Sequence, residues 1–422
     1  MTGQVPQEFD AVTDDAADDL SAASAGRGLR SVFQPIVSLP DERIVGYEAL
    51  SRWPGMNVGT PTAVFEHASR TGTADRLDQL CIDSAIDTAL RGSLGRGAVL
   101  CINCEASTSY RGPVAGEVLD RRAEELQVVF ELTERGLLTH PHALLRKVAA
   151  LRKHGFRIAL DDIGAHPDSL ALLCVICPDV IKLDMELVQA QPQYGQARTL
   201  AAVLAYQERT NAVIIAEGIE NDEHLEQALA LGATLGQGYK FGRPAALNSA
   251  VSSARSSPLL KQAAPVVAGS PFDLVSAEMP VRTARKATLM AFSRQIESQA
   301  EYGAETSIVL TALQHDKYFT GETLRSYQVL ADRCPLIAVF GKNLPNDLGR
   351  GVRGVAVGPD DPLCREWTVI ALGANTAAAL IAREQEPRTV IGADCDRRFE
   401  FVMSYDRGLV TAAARNLLDR MP

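Results

Sequence analysis

Short apolar runs recur along residues 27–245, and polar residues close most of them. Eight runs stand out: SVFQPIVSL, IVGYEALSR, AVLCINCEA, LQVVFELTE, RIALDDIG, VIKLD, AVIIAEGIE and GQGYKFGRP. From the second run onward, most are separated by segments with helical spacing, such as PHALLRKVAALRKHG. This alternation is typical of βαβ units on a largely parallel sheet. Eight such strands favour a closed barrel of the TIM type.

The first two runs depart from this rhythm. Only PDER separates them, which fits a hairpin of antiparallel strands and is too short for a crossover helix. The prediction is therefore an α/β fold: a modified TIM-type (β/α)8 barrel with one antiparallel strand pair.

The regions on either side of the barrel differ in composition. Residues 1–26 are rich in Asp, Ala and Ser without periodicity, which predicts a disordered acidic tail. Residues 246–271 are rich in Ser, Ala and Pro and predict a linker. Residues 272–422 again mix helix-like and strand-like runs, so they predict a second, smaller mixed α/β domain.

Net charge, the length of the apolar runs and the cysteine spacing limit the partners and the cellular compartment that we expect. A formal net charge of −10 argues against a broad surface for DNA. No run of eighteen apolar residues and no secretory signal are visible, so we expect no membrane association and a cytoplasmic location. The eight cysteines include two C-x-x-C pairs inside apolar runs, which favours buried small side chains over zinc ligands.

The polar residues at the run ends form one candidate site. In a parallel barrel the C-terminal strand ends share one rim, so residues distant in sequence converge there. The candidates are Glu48, Asn103, Glu131, Glu134, Asp161, Asp162, Lys182, Glu217, Glu220 and Gln237. The possible ligands among them offer oxygen, which suits hard cations such as Mg²⁺ or Mn²⁺.

The adjacent aspartates suggest more than one ion. Asp161 and Asp162 could each face a different cation, or one of them could bridge both. Two divalent cations a few ångströms apart are used to hydrolyse phosphoesters, because they activate a water and stabilise the phosphorus transition state. The hypothesis is a two-metal hydrolytic centre. A glycoside hydrolase barrel also needs rim carboxylates, but it leaves Lys182 and Asn103 unexplained.

Several individual residues allow two interpretations. Lys182 lies between two apolar residues, so it more plausibly points into the barrel than along a strand edge to solvent. Glu134 and Glu220 could be solvated residues opening helices, or could support the site without touching metal. Arg52 would suit a phosphate, and Gln34 could contact a base edge or be purely structural.

Seven stretches in this order, YEALSRW, INCEAS, FELTE, LDDIG, VIKLD, AEGIE and GQGYKFGRP, resemble the EAL family of cyclic di-GMP phosphodiesterases. The resemblance covers about residues 30–244. It implies the barrel with an antiparallel pair, two Mg²⁺ or Mn²⁺ ions, hydrolysis of cyclic di-GMP to linear pGpG, and a homodimer through the barrel.

The resemblance also assigns roles by matching motif. The metal-binding positions would be Glu48, Asn103, Glu131, Asp161, Asp162 and Glu217. Lys182 matches the lysine near the attacking water, and either Glu217 or a metal hydroxide would act as base. Gln237 matches a residue completing the site, Arg52 matches an arginine on a substrate phosphate, and Glu134 matches the anchor of the loop after the aspartates. Catalysis would thus fall to Glu48, Lys182 and Glu217, and substrate contact to Gln34, Arg52 and Gln237.

One loop departs from the family. Members commonly carry Phe-Gly-Thr-Gly-Tyr-Ser-Ser after the two aspartates, whereas residues 163–169 here read IGAHPDS. Losing a glycine and gaining a proline stiffens the backbone. The complete ligand set favours catalysis. The altered loop favours the alternative, a weak or inactive domain that acts as a cyclic di-GMP receptor or protein-interaction module.

The C-terminal region resembles a different family. The stretches FSRQIESQA, ALQHDKYF, IAVFGKNL, LCREWTVIALG and FEFVMSYDR are similar to the DICT domain, a presumed sensory module. The resemblance implies that residues 272–422 regulate the barrel.

Overall fold

The computed structural model describes residues 11–39, 41–92, 94, 97–108, 126–133, 140–164, 167–190, 194–247, 269–303, 305–385 and 394–422. Within these residues the chain forms a closed eight-stranded barrel and a separate seven-stranded sheet. The predicted fold class, a barrel plus a second mixed α/β domain, is confirmed. Most of the predicted linker 246–271 lies outside the described residues.

The barrel follows the eight apolar runs. Its strands are β1 (Arg30–Ser38), β2 (Ile44–Arg52), β3 (Val99–Cys104), β4 (Gln127–Thr133), β5 (Arg157–Ile163), β6 (Val180–Leu183), β7 (Val213–Ala216) and β8 (Leu235–Gln237). β1 is antiparallel to both β2 and β8, while every other neighbouring pair is parallel. The hairpin predicted from the four-residue spacer therefore places one reversed strand in the barrel.

Helices surround the barrel. They are α1 (Ala11–Ser24), α2 (Pro61–Arg70), α3 (Ala74–Arg91), α4 (Pro141–Lys153), α5 (Leu173–Ile176), α6 (Met185–Gln189), α7 (Tyr194–Thr210) and α8 (Asp222–Ala230). Local signals explain where some begin: Thr60 caps α2 and Asn221 caps α8 through side-chain oxygens. None of the described helices has the length and apolar character that crossing a membrane requires.

Strand alternation separates the barrel lumen from the helix-facing surface. In β4, Phe130 and Leu132 pack in the core under the helices, whereas Val129 belongs to a small apolar layer inside the barrel. Because side chains alternate along a strand, Glu131 shares the inward direction of Val129. The same alternation turns Lys182 of β6 inward, next to Val180 of the inner layer.

The prediction of a disordered tail over residues 1–26 was wrong for residues 11–24. These residues form α1, and Ala22, Ala23 and Ser24 are buried. Ala23 packs in one cluster with Trp53 and Leu77. The alanines that made the segment look featureless favour helix and allow close packing. Residues 1–10 lie outside the described part of the chain.

The second domain is built on a mixed sheet. Its strands are β9 (Arg282–Arg285), β10 (Ser307–His315), β11 (Ile337–Lys342), β12 (Val352–Ala356), β13 (Glu366–Gly373), β14 (Ala377–Glu384) and β15 (Arg398–Ser404), in the order β12-β11-β10-β13-β14-β15-β9. Its helices are α9 (Pro271–Glu278), α10 (Lys286–Tyr302), α11 (Gly321–Leu330) and α12 (Arg407–Leu418). One sheet face packs under α10 and α11, and the other packs under α12.

The two parts share an apolar core. Buried residues of the segment 170–176, just after β5, belong to the same cluster as buried residues of α12. Arg415 of α12 donates from Nη1 to the carbonyl oxygen of Val175 at 2.5 Å. Arg407 donates to the Cys174 sulfur at 3.3 Å and to the carbonyl of Gly373 at 2.9 Å. The second domain thus contacts the chain segment that follows the adjacent aspartates.

Candidate metal and active site

Lys182 lies at the centre of a ring of carboxylates in the barrel mouth. Its ammonium nitrogen is 2.8 Å from Glu217 Oε1 and 2.9 Å from Asp161 Oδ1. The same nitrogen is 3.0 Å from Glu131 Oε1 and 3.6 Å from Glu48 Oε2. Lys182 is 1% exposed and Glu131 is fully buried. Five different strand ends therefore supply one compact charged cluster.

Amides hold the Glu48 carboxylate in place. Asn103 Nδ2 donates to Glu48 Oε1 at 2.7 Å, and Gln237 Nε2 donates to Oε2 at 2.6 Å. Gln237 also donates to Gln34 Oε1 at 3.0 Å, and Gln34 donates to the carbonyl of Gly242 at 3.3 Å. Gln34 and Glu48 face each other across the β1–β2 pair. These hydrogen bonds link side chains of β2 and β8 through β1, the antiparallel strand between them.

The acids of the cluster differ in their pKa. Burial, followed by the charge of Glu48, raises the pKa of Glu131 well above its usual value. Burial also raises the pKa of Asp161, and that of Glu217 to about 8. Burial alone would raise the pKa of Glu48 too, but Lys182 and the amide donors outweigh it and lower that pKa. So many desolvated carboxylates in one place call for cations beyond Lys182.

The residues present fit divalent metal ions. Carboxylate oxygens of Asp161, Asp162 and Glu217 lie within 4.8 Å of one another. Glu131 Oε2 is buried and has no hydrogen-bond donor among the described residues, whereas Glu131 Oε1 and Asp161 Oδ1 share the one ammonium of Lys182. A buried acceptor without a donor costs about 1–3 kcal/mol, which a bound cation removes. Oxygen-only donors suit Mg²⁺, Mn²⁺ or Ca²⁺.

A β-bulge in β5 explains how the side chains of two adjacent aspartates both reach the barrel mouth. Leu160 pairs with Ile181, yet Ile163 pairs with Leu183, so β5 carries one extra residue against β6. Asp162 has φ +57°, in the left-handed region that non-glycine residues rarely adopt. In a regular strand these two side chains would face opposite sides. The bulge brings both to the barrel mouth, beside Glu217.

Glycine is required directly after this bulge. Gly164 has φ +117°, and a Cβ there would lie 2.3 Å from Leu187 Cδ1 of α6. Of the altered loop 163–169, Ala165 and His166 lie outside the described residues. Pro167 opens a short 3₁₀ turn, Pro167–Leu172, that leads into α5. The proline therefore begins the turn that runs toward the second domain.

Some predicted site residues are not in the cluster. Arg52 ends β2, is half-buried and donates to the carbonyl of Ser51 at 2.9 Å. Glu220 is exposed, and its backbone N–H donates to His224 Nδ1 at 3.3 Å. Neither side chain reaches Lys182 or its carboxylate partners among the described contacts. Glu134 lies outside the described residues.

A buried ion pair between Lys147 and Asp78, not predicted from the sequence, lies beside the site. Lys147 Nζ lies 2.7 Å from Asp78 Oδ2, 2.5 Å from the Glu105 carbonyl and 2.7 Å from Thr108 Oγ1. Asp78 Oδ1 accepts the Glu105 N–H at 3.0 Å. This network fixes the segment that follows Asn103. Its signal in the sequence is a lysine on the apolar stripe of α4, between Leu144 and Val148.

Comparison with known families divides the chain in two. The EAL domain pattern matches residues 17–244, more than half of the chain. A second pattern, described as the sensory domain in diguanylate cyclases and two-component systems (DICT), matches residues 273–385. The first match begins within α1, in agreement with the packing of that helix on the barrel.

Curated relatives match the barrel part. Cyclic di-GMP phosphodiesterase RocR of Pseudomonas aeruginosa is 30% identical over 237 residues, covering 53% of this chain and 60% of the relative. Probable cyclic di-GMP phosphodiesterase PdeG of Escherichia coli is 30% identical over 223 residues, covering 50% of this chain and 44% of the relative. The match therefore spans only about half of each relative's length.

Solved structures are similar over the same part. Klebsiella pneumoniae BlrP1 in a calcium and cyclic di-GMP complex is 29% identical with a TM-score of 0.46, covering 57% of this chain and 58% of that one. The FimX EAL domain of Pseudomonas aeruginosa bound to cyclic di-GMP is 22% identical with a TM-score of 0.46, covering 56% and 100%. On the family match over residues 17–244, the chain belongs to the EAL domain family, and it carries a DICT domain after the barrel.

Proposed function

We propose that this protein hydrolyses cyclic di-GMP to linear pGpG with two divalent cations, Mg²⁺ or Mn²⁺. The observation that carries the proposal is the barrel mouth itself, where the carboxylates of Glu48, Glu131, Asp161 and Glu217 share the single ammonium of Lys182. Family membership and the names of the relatives support the choice of substrate.

The residues proposed to hold the two ions offer only oxygen. They are Glu48, Asn103, Glu131, Asp161, Asp162 and Glu217. When bound, the cations would polarise the phosphodiester and lower the pKa of the attacking water.

The protein's own side chains would orient water and substrate. Lys182 would donate to the attacking water, and Glu217, whose side chain is 19% exposed at the rim, would accept its proton. Arg52 would turn from the Ser51 carbonyl to a substrate phosphate. Gln34 and Gln237 would line the substrate side of the mouth. Glu220 and Glu134 would support the surrounding loops without touching metal.

Regulation by the second domain is part of the proposal. Helix α12 donates through Arg415 to Val175, in the segment that starts only a few residues after Asp162. A movement of α12 would be passed by this buried contact to the 3₁₀ turn and the bulge. The DICT domain would thereby change how well Asp161 and Asp162 bind their cation.

Cyclic di-GMP turnover is tested directly. Purified protein is incubated with cyclic di-GMP and Mg²⁺ or Mn²⁺, and the products are separated by chromatography. We expect pGpG from the unchanged protein. Glu48→Ala should lower the rate at least ~100-fold, because it removes a metal ligand.

The control is Glu226→Ala, an exposed glutamate of α8, which should leave the rate unchanged. An equal rate in the Glu48 variant would mean that the site is misplaced. Tight binding of cyclic di-GMP with no product would contradict turnover and indicate a receptor.

Assembly and location complete the proposal. We propose a homodimer through the barrel in the cytoplasm, where eight cysteines without a disulfide suit a reducing compartment. Analytical ultracentrifugation tests the dimer, and cell fractionation tests the location.

A further inference from the structure

A second cavity lies in the C-terminal domain, far along the chain from the metal ligands. It has a volume of about 310 Å³ and lies between the sheet and helices α10 and α11. Strands β10, β13 and β15 form its floor. A volume near 300 Å³ is at the small end of the range for organic ligands.

Aromatic rings form much of the cavity wall. Trp367 and Phe399 meet edge to face on the floor, with ring centroids 5.8 Å apart. Tyr327 contributes from α11, and Tyr318 from the turn before that helix. Flat faces of this kind bind planar rings by stacking and bind cations through the ring quadrupole.

One carboxylate of the cavity has an open acceptor. Glu297 of α10 accepts from Ser293 Oγ at 3.0 Å and from Tyr327 Oη at 2.9 Å, both at Oε1. No donor among the described residues reaches its other oxygen, Oε2. Burial raises the pKa of this carboxyl. A partly buried carboxylate with one oxygen unbonded gains from a ligand that donates a hydrogen bond.

The cations of the cavity already have partners. Lys286 pairs with Asp394. Arg397 pairs with Glu384, at 2.7 Å and 2.5 Å, and lies 4.3 Å over the Tyr318 ring. At the mouth, Arg294 lies 4.0 Å from Glu322, and both side chains are largely exposed. An anionic ligand would have to displace these carboxylates, so the open position favours a donor.

We propose that this cavity binds a small planar ring compound bearing a protonated amine, with its ring against Trp367 and its ammonium on Glu297 Oε2. The proposal concerns the C-terminal domain alone and does not depend on phosphodiesterase activity. It gives the DICT domain a ligand of defined chemistry: an aromatic amine.

Calorimetry with the full-length protein tests the proposal. The probe is tryptamine, and its matched control is indole-3-propionate, which has the same ring and the opposite charge. Tryptamine should bind at least ~10-fold more tightly than indole-3-propionate. Glu297→Gln, of the same size, should weaken tryptamine at least ~10-fold, because it removes a charged acceptor.

The charge control is Glu278→Gln, an exposed glutamate of α9 outside the cavity, which should keep tryptamine affinity. Circular dichroism checks that the Glu297 variant is folded, and Trp367→Leu should weaken binding independently by removing the ring. Tryptamine affinity should also fall as the pH is lowered into the carboxyl range, since protonated Glu297 carries no charge; Glu297→Gln should abolish this dependence. Equal binding of both probes, undetectable binding of tryptamine, or an unaffected Glu297 variant would overturn the proposal.

Discussion

At the scale of single residues, the barrel mouth carries more buried negative charge than its one lysine can neutralise. One ammonium faces the carboxylates of Glu48, Glu131, Asp161, Asp162 and Glu217, which leaves four formal negative charges. Two divalent cations neutralise such a set. Lys182 therefore supplies only a small part of the compensation that burial requires.

Replacing this lysine tests that argument. Lys182→Met should lower turnover by about 100-fold or more, since it removes a donor to the attacking water. The rise in melting temperature on adding Mn²⁺ should be larger in the variant than in the unchanged protein, because the cations alone would then neutralise the acids. Product chromatography and thermal unfolding measure both effects.

Lys153→Met, an exposed change at the end of α4, is the matched control and should alter neither quantity. An equal Mn²⁺-dependent shift in the Lys182 variant would refute the charge argument.

Sequence reasoning works well at this scale for residues at strand ends. Every candidate in the Lys182 cluster stood at the end of an apolar run or inside one, and alternation fixes the direction of each except Asp162, which the bulge redirects. Arg52 and Glu220 had equally suggestive positions, yet their side chains lie elsewhere. Asp78 and Lys147 were missed because each is on a helix, and only their packing brings them together.

At the scale of elements, β5 is the unusual strand. Its bulge brings consecutive aspartates to one mouth, and Asp162 adopts a left-handed conformation to do so. Apolar runs predicted seven strands closely, while β8 (Leu235–Gln237) includes only the first two residues of the eighth run. A bulge has no comparable signature in the sequence. Helix α1 was overlooked for a related reason: its two buried alanines give too weak a periodicity to separate it from a polar tail.

Two substitutions at one position test the backbone strain. Asparagine tolerates the left-handed region, whereas a β-branched residue does not. Both substitutions remove the same charge, so their difference reports the backbone: the free energy of unfolding of Asp162→Val should be about 1–2 kcal/mol lower than that of Asp162→Asn. Denaturant unfolding of both variants without added metal makes the comparison. Equal stabilities would mean that residue 162 is not held at positive φ.

At the scale of the whole molecule, the second domain contacts the barrel just after the bulge of β5 that carries Asp161 and Asp162. Arg415 reaches a buried carbonyl, that of Val175, within the segment that follows the bulge. Composition predicted the boundary between the two domains, but no sequence pattern predicted how they contact each other. The contact depends on shape and on two arginines whose partners are hundreds of residues away.

Breaking this contact should change catalysis at a distance. Arg415→Ala leaves the Val175 carbonyl without its donor, and we expect turnover to fall at least about 5-fold, in the range of ordinary coupling energies. The matched control is Arg420→Ala, whose hydrogen bonds stay within the C-terminal domain. Initial rates at saturating Mn²⁺ and a Mn²⁺ titration make the measurement. Identical kinetics in both variants would show that the domains do not communicate here.

The packing of helix α1 on the barrel determines where the protein can be truncated. Trp53 follows Arg52 directly, and Ala23 of α1 belongs to the cluster around that indole. Truncating the polypeptide at residue 27, the boundary that composition predicts, would expose the indole of Trp53. The neighbouring residue, Arg52, is the one proposed to bind a substrate phosphate. Under the proposed function, we expect the shortened protein to keep its proposed metal ligands and to bind cyclic di-GMP more weakly.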